Sequence, residues 1–526
     1  MNLRVDRRVA ARLCVLACSS VLPLAIASSR LLMAAEPPNI LFILADDMGW
    51  QDTSVPFAEE RTAWNDRYHT PALERLAREG MKFTQAYSCA VCTPTRVSFL
   101  TGQNELRHAV TNWTHLAGDT PITDRSHPRL SHAAWNWNGL QPTAGLEHSI
   151  SAPTLPALLR RVGYHTMQFG KGHFGAGNTL GADPHVFGFE TRIGGRFAGG
   201  VGSYWGTRHF GAKTNPDGPF RAWDLDHYFG QDIHLTEALT REAAREIRAA
   251  VSAKRPFFCY FAHHAPHTPI EPDERFAPKY RAAGLDDIEA AYASLLEGMD
   301  KSVGDLLALL DELGVANETL VVFTSDNGGV SHEYRSMAPP HTHNTPLSSG
   351  KGSHHEGGIR VTLLVRWRGI TPASSVNRVP VAIYDWFPTL LRACGADVPP
   401  DIDGLDLAKL LRGQSDTNFD RSLAWHFPNF WGGLNHDGAR EGPGLGPSSA
   451  LRRGDWKLIY YHIDQRFELF NLTDDLSEKK NLAADEPERL REMATELTSL
   501  LEKHRSPMPI IKATGQPVPL PAAAIR

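Results

Sequence analysis

Short apolar runs alternate with longer amphipathic stretches along most of the chain. Residues 39–44, Asn-Ile-Leu-Phe-Ile-Leu, form a continuous apolar run of the length of a buried strand. A helix is predicted next, because Thr70 and Pro71 supply an N-cap and a proline at the first helical position, and Gly80 ends it. Further strands are predicted at 164–169, 257–262, 320–324 and 361–367, with helices at 235–253 and 286–313. This alternation predicts an α/β fold with a mainly parallel central sheet flanked by helices.

The pattern changes towards the C-terminal end. After Asp403-Gly404, residues 453–459 and 467–471 have the pattern of antiparallel strands, and residues 487–503 have helical spacing. We therefore predict a large α/β domain at 36–415, which contains all the candidate chemistry described below. A smaller C-terminal α+β domain with an antiparallel sheet is predicted at 416–526.

The first 35 residues have the pattern of a signal peptide. Four arginines among the first twelve residues precede an apolar run at 13–27, and residues 25–27, Ala-Ile-Ala, have the small side chains of a cleavage site. We therefore predict a signal peptide at 1–35 and export of the mature protein, to the periplasm or out of the cell. Elsewhere no segment approaches eighteen uncharged apolar residues, so no membrane span is expected in the mature chain.

Composition narrows the functional classes. The 526 residues are 42% hydrophobic and 21% charged, as in ordinary globular proteins. The net charge of −5 predicts no nucleic-acid partner and no polybasic membrane surface. Only six cysteines occur, which excludes a fold built on disulfides. Residues 104–150 and 175–234 are rich in Gly, His and Trp, and such long loops in a compact domain are usually functional.

Four of the predicted strands are followed by polar clusters. The clusters are Asp46-Asp47, Lys171 with His173, His263-His264 with His267, and Asp326-Asn327. In open α/β sheets ligands bind outside the carboxyl ends of the strands, so we expect the four clusters to form one site. A single Asp-Asn-Gly is more simply explained as a turn or a helix cap. Four clusters at one edge favour a functional site.

The acidic clusters predict a metal site. Their side chains offer only oxygen ligands: Asp46, Asp47, Asp326 and Asn327. Adjacent carboxylates repel each other unless a cation neutralises them, and oxygen ligands favour Ca²⁺ or Mg²⁺ over zinc. Positive or titratable side chains surround the same point: Lys171, His173, His267 and Lys351. A divalent cation beside two lysines suits an anionic tetrahedral ester, either a sulfate or a phosphate.

Residues 92–102, Cys-Thr-Pro-Thr-Arg-Val-Ser-Phe-Leu-Thr-Gly, resemble the sulfatase signature C-x-P-x-R followed by L-T-G. Other motifs of that family follow in the expected order: Asp46-Asp-Met-Gly49, Gly170-Lys-Gly-His-Phe-Gly175, Pro266-His-Thr-Pro269, Thr324-Ser-Asp-Asn-Gly328 and the Gly-Lys-Gly-Ser-His-His-Glu-Gly-Gly-Ile-Arg-Val segment at 350–361. The resemblance covers roughly residues 37–505. On these motifs the chain is identified as a member of the formylglycine-dependent sulfatases, which are arylsulfatase-like enzymes of the alkaline phosphatase-like superfamily. Thr95 and Gly172 depart from the commoner Ser and Trp, and both departures leave the functional positions intact.

The resemblance implies a role for each residue of the site. The implied metal ligands, for Ca²⁺ or alternatively Mg²⁺, are Asp46, Asp47, Cys92, Asp326 and Asn327. The implied catalytic residues are Cys92, Arg96, Lys171, His173, His267 and Lys351, of which Lys171, His267 and Lys351 also bind the substrate sulfate. A formylglycine-generating enzyme would oxidise Cys92, which we expect to face solvent. The hydrated aldehyde would attack sulfur, His267 or Lys351 would protonate the leaving oxygen, and His173 would take the proton that drives release of sulfate.

The expected activity is hydrolysis of sulfate esters, and the Trp- and His-rich loops suggest a sulfated carbohydrate, because aromatic rings stack on sugar faces. Three alternatives stay open at this point. A phosphonate or phosphate ester hydrolase of the same superfamily would share the metal ligands. A non-catalytic binding protein for sulfated glycans would keep Cys92 unmodified. A zinc phosphatase is disfavoured, because the acidic ligand set lacks histidine.

Overall fold

A computed structural model describes residues 37–119, 127–330, 344–430 and 444–525 of the chain. The predicted signal peptide at 1–35 lies outside these described residues. In the described part of the chain, no helix is both long enough and apolar enough to cross a membrane.

A nine-stranded sheet lies at the centre of the described chain. In spatial order its strands are Val381–Ala382, Met81–Tyr87, Arg360–Arg366, Thr319–Ser325, Asn39–Ala45, Phe257–Ala262, His165–Gly170 and Thr191–Gly194, and Ser375–Asn377 also pairs with Met81–Tyr87. The five strands from Thr319–Ser325 to Thr191–Gly194 are parallel to one another. Arg360–Arg366 is antiparallel to both of its neighbours. The mainly parallel sheet predicted from the sequence is therefore confirmed.

Apolar cores cover both faces of this sheet. Along Asn39–Ala45, Phe42 packs in one core with Trp386, whereas Leu41 packs in the other with Leu239. Successive side chains of a strand point to opposite faces, so a strand that is buried on both faces is apolar throughout. The longer helices are Pro71–Glu79, Cys92–Thr101, Leu155–Arg161, Leu235–Ser252, Asp287–Glu312, Trp386–Ala393 and Pro487–His504. The shorter ones are Ala63–Arg67, Glu105–His108, Ala277–Ala282, Glu356–Ile359, Ala408–Leu411 and Pro521–Ala524.

The C-terminal part contains the predicted antiparallel sheet. Its four strands are Ser422–Phe427, Ser448–Arg453, Trp456–Tyr461 and Phe467–Asn471. Trp425 and Ile459 join the core of the central sheet, whereas Leu458 packs against Leu497 of the helix Pro487–His504. A three-stranded sheet is formed by Gln516–Pro517, Ile510–Ile511 and Leu130–Ser131. The boundary at 415/416 stays a prediction, because the two larger sheets share one core.

The helix Cys92–Thr101 is absent from the sequence prediction, and its burial explains why. All ten of its residues are buried, so it has no polar face to give the sequence a helical period. Residues 104–150 and 175–234 contain only short elements in their described parts, as their composition predicts; the longest of these are the four-residue elements Glu105–His108, Pro184–Phe187 and Thr191–Gly194.

Candidate active site

The predicted polar clusters follow four neighbouring strands of the central sheet. Asp46 follows Asn39–Ala45, Lys171 follows His165–Gly170, His263 follows Phe257–Ala262, and Asp326 follows Thr319–Ser325. At the first two strand ends the backbone is left-handed, with φ of 65° at Asp47 and 60° at His173. Such φ values are uncommon for residues other than glycine and concentrate at functional sites. The four strands therefore deliver their polar side chains to one edge of the sheet.

A buried network of charges lies at this edge. Nζ of Lys171 donates to both carboxylate oxygens of Asp46, at 2.8 and 2.7 Å. Nε and Nη2 of Arg96 donate to Oδ2 of Asp326, at 3.1 and 2.7 Å, and Nη2 also lies 3.8 Å from Oδ1 of Asp46. All four side chains are inaccessible to solvent. Charges buried this completely need close partners, and each of these has at least one.

Asp47 is the second acidic centre of the site. Its Oδ1 accepts hydrogen bonds from Nζ of Lys351 at 2.6 Å and from Nδ2 of Asn327 at 2.8 Å. Nε2 of His267 lies 3.7 Å from its Oδ2. Burial alone would raise the pKa of Asp47, but Lys351 and His267 outweigh it and hold the pKa well below its ordinary value. Asp47 is therefore ionised at neutral pH.

Cys92 begins the helix Cys92–Thr101 and faces His173. The Sγ atom lies 3.5 Å from Nδ1 of His173, whose Nε2 lies 3.0 Å from the carbonyl oxygen of Thr114. A carbonyl only accepts, so Nε2 carries the proton and Nδ1 presents its lone pair to residue 92. Burial and the charge of Lys171 lower the pKa of His173 well below its ordinary value, which keeps the ring neutral. The arrangement leaves a proton acceptor directly beside residue 92.

Gly199 and Gly200 allow their loop to pack closely against His173 and His267, the two histidines that were predicted to be catalytic. A Cβ atom at Gly199 would come within 2.7 Å of Cε1 of His173, and one at Gly200 within 3.1 Å of Cε1 of His267. Nδ1 of His267 lies 2.8 Å from the carbonyl oxygen of Thr268, and burial lowers the pKa of this ring to about 4. The His267 side chain is 20% exposed. It therefore marks the side from which a ligand reaches the site.

The donor set fits a hard divalent cation. Oδ1 of Asn327 is buried and has no hydrogen-bond partner within the described residues. A buried oxygen without a donor is free to bind a cation. Burial raises the pKa of Asp46, because an ionised carboxylate there is poorly solvated and lies close to two other carboxylates. Ligand atoms of Asp46, Asp47 and His267 lie within 4.8 Å of one another. Asp46, Asp47, Asp326 and Asn327 supply the oxygens that Ca²⁺ or Mg²⁺ prefers, whereas His267 offers a ring nitrogen beside them.

The structure brings all ten predicted site residues together, and their individual roles stay predictions. One expectation is wrong: Cys92 is only 3% exposed, because the helix that it begins is buried along its whole length. His263 and His264 are buried near the site, but their ring nitrogens make no hydrogen bonds with the described residues. The structure therefore does not include these two rings in the network.

The prediction from the sequence did not include two contacts of the site. Tyr260 lies with its hydroxyl oxygen 3.5 Å from Nη1 of Arg96, and the carbonyl of Thr114 fixes the tautomer of His173. Tyr260 could have been predicted from the sequence, because it is the one residue with a hydroxyl group in the otherwise apolar strand Phe257–Ala262. The contact of Thr114 is made by its backbone, so its side chain could give no signal.

The loop that carries Lys351 contacts both the segment after Asn327 and the segment before Cys92. The backbone N–H of Lys351 donates to the carbonyl of Gly329, just after Asn327, and that of Gly352 donates to the carbonyl of Ala90, just before Cys92. The same loop continues into the short helix Glu356–Ile359. The position of the Lys351 ammonium thus depends on contacts with both neighbouring segments.

Lys457 of the antiparallel sheet holds the far end of this loop. Its Nζ lies 2.9 Å from Oε1 of Glu356 and 2.8 Å from Oε1 of Glu478, and all three side chains are fully buried. Burial alone would raise the pKa of Glu356, but Lys457 and Arg360 lower it to about 2. The C-terminal sheet is therefore joined to the Lys351 loop by a buried ionic contact.

We predict that Lys457→Ala lowers the free energy of unfolding by about 3–5 kcal/mol, because it leaves two buried carboxylates without their shared cation. Chemical denaturation of both proteins measures the difference. The matched control is Arg453→Ala in a neighbouring strand, where an exposed ion pair with Glu496 at 3.2 Å is worth less than about 1 kcal/mol. Equal losses in the two variants would contradict the contribution assigned to Lys457.

Comparisons with known proteins agree on one family. The sequence profile of the Sulfatase family matches residues 38–396, and that of the N-sulphoglucosamine sulphohydrolase C-terminal region matches residues 350–507. The chain is 30% identical to a sulfatase of Formosa agariphila, with 95% of each chain covered. It is 31% identical to the N-acetylgalactosamine-6-sulfatase of Mus musculus, over 75% of this chain and 70% of the mouse protein. The crystal structure of Ps i-CgsB in complex with k-i-k-neocarrahexaose has a TM-score of 0.71 and 25% identity, over 89% of this chain and 93% of that chain.

Proposed function

The chain belongs to the sulfatase family of sulfuric ester hydrolases, and on that premise we propose that it removes sulfate from a sulfated carbohydrate, using a formylglycine made from Cys92 and a divalent cation. The observation that carries the proposal is the position of Cys92. Its Sγ faces a neutral histidine nitrogen and lies one helical turn before Arg96, which binds the acidic cluster. A formylglycine-generating enzyme is the maturation partner that this proposal requires.

Positive side chains of the site would bind the sulfate group. Lys171 and Lys351 are the buried ammonium groups of the site, and His267, which is neutral in the free site, would gain its positive charge beside the bound anion at the accessible side. Fixed positive groups stabilise the charge that spreads over sulfate oxygens in the transition state. The cation, held by the four acidic and amide ligands together with residue 92, would add charge at the same oxygens when bound.

The protein's own residues can move the protons that the reaction needs. Nδ1 of His173 accepts a proton from the group at residue 92, because the Thr114 carbonyl occupies the opposite nitrogen. Lys351 supplies the proton to the leaving alcohol oxygen, or His267 does so once the bound sulfate favours its protonated form, since both side chains lie beside Asp47.

The proposal of a carbohydrate substrate rests on the relatives and on the loops. One relative is named for N-acetylgalactosamine 6-sulfate, and the structure of Ps i-CgsB contains k-i-k-neocarrahexaose. In this chain the loops beside the site contribute Trp113 and Trp223, and the guanidinium groups of Arg196 and Arg221 lie over the Trp223 ring, 4.2 and 4.3 Å from its centre. Aromatic and guanidinium surfaces of this kind suit sugars that carry sulfate.

Turnover on three substrate classes tests the proposal. Protein made with a formylglycine-generating enzyme is given 4-nitrophenyl sulfate, 4-nitrophenyl phosphate, and sulfated oligosaccharides of the carrageenan and chondroitin types. We expect kcat/KM for at least one sulfated oligosaccharide to exceed that for the aryl phosphate by about a hundredfold or more, the scale of one strong transition-state interaction. A preference for the phosphate would favour a phosphate ester hydrolase, and absence of turnover on every substrate would favour a binding protein.

Native protein is expected to contain about one Ca²⁺ or Mg²⁺ per chain, because Asp46, Asp47, Asp326 and Asn327 all offer oxygen atoms. Elemental analysis of the purified protein measures this directly. Asn327→Ala, which removes one neutral ligand and leaves the carboxylates in place, should weaken metal affinity by about tenfold or more, read from metal content after dialysis. Stoichiometric zinc without an alkaline-earth ion would overturn the prediction.

A further inference from the structure

A cavity of about 280 Å³ lies at the tip of the hairpin formed by Trp456–Tyr461 and Phe467–Asn471. Its apolar walls include Leu445, Pro447 and Ile463. Leu445 and Tyr461 are buried, so the floor of the cavity is closed by the protein interior. The volume has room for about one sugar ring, since pockets for larger ligands begin at roughly 300 Å³.

The cavity adjoins the loop that carries Lys351. Leu445 forms a β-bridge with Ser353, which is two residues after Lys351 and so at most about 7 Å of chain away from it. The hydroxyl of Tyr461 lies 3.3 Å from Nε2 of His355 in the same loop. Arg129 on the other side belongs to the long loop that also supplies Thr114 to the candidate active site. The cavity is therefore a near neighbour of the sulfate-binding residues and separate from them.

The rim of the cavity carries Arg129, Arg466 and Asp464, and so has a net charge of +1. Arg466 lies with its guanidinium carbon 3.6 Å from the centre of the Tyr461 ring, and its Nη1 binds both carboxylate oxygens of Asp464, at 3.2 and 3.1 Å. Nε of Arg466 also lies 3.8 Å from Oε1 of Glu468, so of the five N–H donors of this guanidinium those on Nη2 are left for another anion. Arg129 is exposed, and no carboxylate of the described residues pairs with it. An apolar floor below two arginines suits a ring with apolar C–H faces and an anionic substituent.

We propose that this cavity is a second subsite, which binds another sulfated sugar unit of the same oligosaccharide whose sulfate is hydrolysed at Cys92. The walls pack against the sugar ring, and Arg129 and Arg466 bind its sulfate group. The inference rests on the proposed carbohydrate sulfatase function. It predicts that the enzyme recognises at least two sulfated units of its substrate.

The double variant Arg129→Ala, Arg466→Ala tests the subsite. On sulfated hexasaccharides of the carrageenan and chondroitin types, we expect the KM of the best substrate to rise by about tenfold or more, the scale of losing a charge-assisted hydrogen bond, with kcat changed less than about twofold. On 4-nitrophenyl sulfate the loss of kcat/KM should be at least about tenfold smaller than the loss on the hexasaccharide, because an aryl group does not reach the cavity. The difference should shrink in high salt, since rim charges are screened. Equal losses on both substrates would overturn the subsite.

A binding measurement separates this proposal from the proposed function. In a Cys92→Ala background, titration calorimetry with the same hexasaccharides should show about tenfold weaker binding when both arginines are removed. The matched control is Arg453→Ala, an exposed arginine at the far end of the strand Ser448–Arg453, which should change neither affinity nor turnover. If the unsubstituted enzyme does not hydrolyse the oligosaccharides, that result contradicts the proposed function and leaves the subsite to be decided by the binding measurement. Affinity that is undetectable, or equal with and without the two arginines, overturns the subsite.

Discussion

Cys92→Ala is expected to abolish sulfatase turnover, with a loss of about 10⁴-fold or more, while the protein stays folded. Activity is lost because the side chain that becomes the nucleophile is gone. The fold survives because only one sulfur atom is removed from the first turn of a helix, and such a small cavity costs about 1–2 kcal/mol. Turnover of 4-nitrophenyl sulfate and a thermal melt measure the two effects. More than about a tenth of the original activity in this variant would remove Cys92 from the mechanism.

Cys89→Ala is the matched control for this result. Cys89 is also buried, lies three residues earlier, and has its Sγ 3.6 Å from Oγ of Ser98, away from His173. Its thiol has no place in the proposed chemistry, so turnover should stay within about twofold of the original value. A further variant, Cys92→Ser, should accumulate a sulfated serine, because serine has a nucleophilic oxygen and no second hydroxyl to expel the sulfate.

Lys351→Ala is expected to lower kcat on a sugar sulfate by about a hundredfold or more, the scale of losing one group that stabilises an oxyanion. The Lys351 ammonium binds Asp47 at 2.6 Å and lies on the loop that packs beside Cys92. The loss should be smaller on 4-nitrophenyl sulfate, because its good leaving group needs little protonation. Turnover of both substrates measures this difference. Similar losses are expected on the sugar sulfate for Lys171→Ala and His267→Ala.

Lys301→Ala is the control for the lysine variants. Lys301 is an exposed residue of the helix Asp287–Glu312, where it pairs with Asp305, and its loss should leave turnover unchanged. Lys171→Ala also leaves Asp46 buried without its closest cation, so its thermal melt must be compared with that of Lys351→Ala. An unchanged rate on the sugar sulfate in a folded Lys351→Ala protein would contradict the role proposed for this side chain.

Much of the site could be predicted from the sequence, because parallel strands place their carboxyl ends at one edge. This rule alone predicts that Asp46-Asp47, after the apolar run at 39–44, lie close to Asp326-Asn327, after the run at 320–324. The two strands are indeed adjacent and parallel. The family was predicted from the segment 92–102 together with five further motifs in the expected order. The profile match over residues 38–396 confirms that identification.

Other parts of the site depend on contacts that have no local signal. The hydrogen bond from His173 to the Thr114 carbonyl joins residues 59 positions apart and involves a backbone atom that every residue has. The burial of Cys92 follows from packing of its whole helix, which the sequence could not show without an apolar period. The ionic contact of Lys457 with Glu356 spans 101 positions, and neither residue type is commonly buried.

The most direct test of the account is the chemical state of residue 92. Protein made with a formylglycine-generating enzyme is digested with trypsin, and the peptide 83–96, which contains both Cys89 and Cys92, is examined by mass spectrometry. The account predicts that residue 92 carries an aldehyde that reacts with a hydrazide probe, whereas Cys89 stays a thiol. Full sulfatase activity from protein in which Cys92 is entirely a thiol would contradict the central claim.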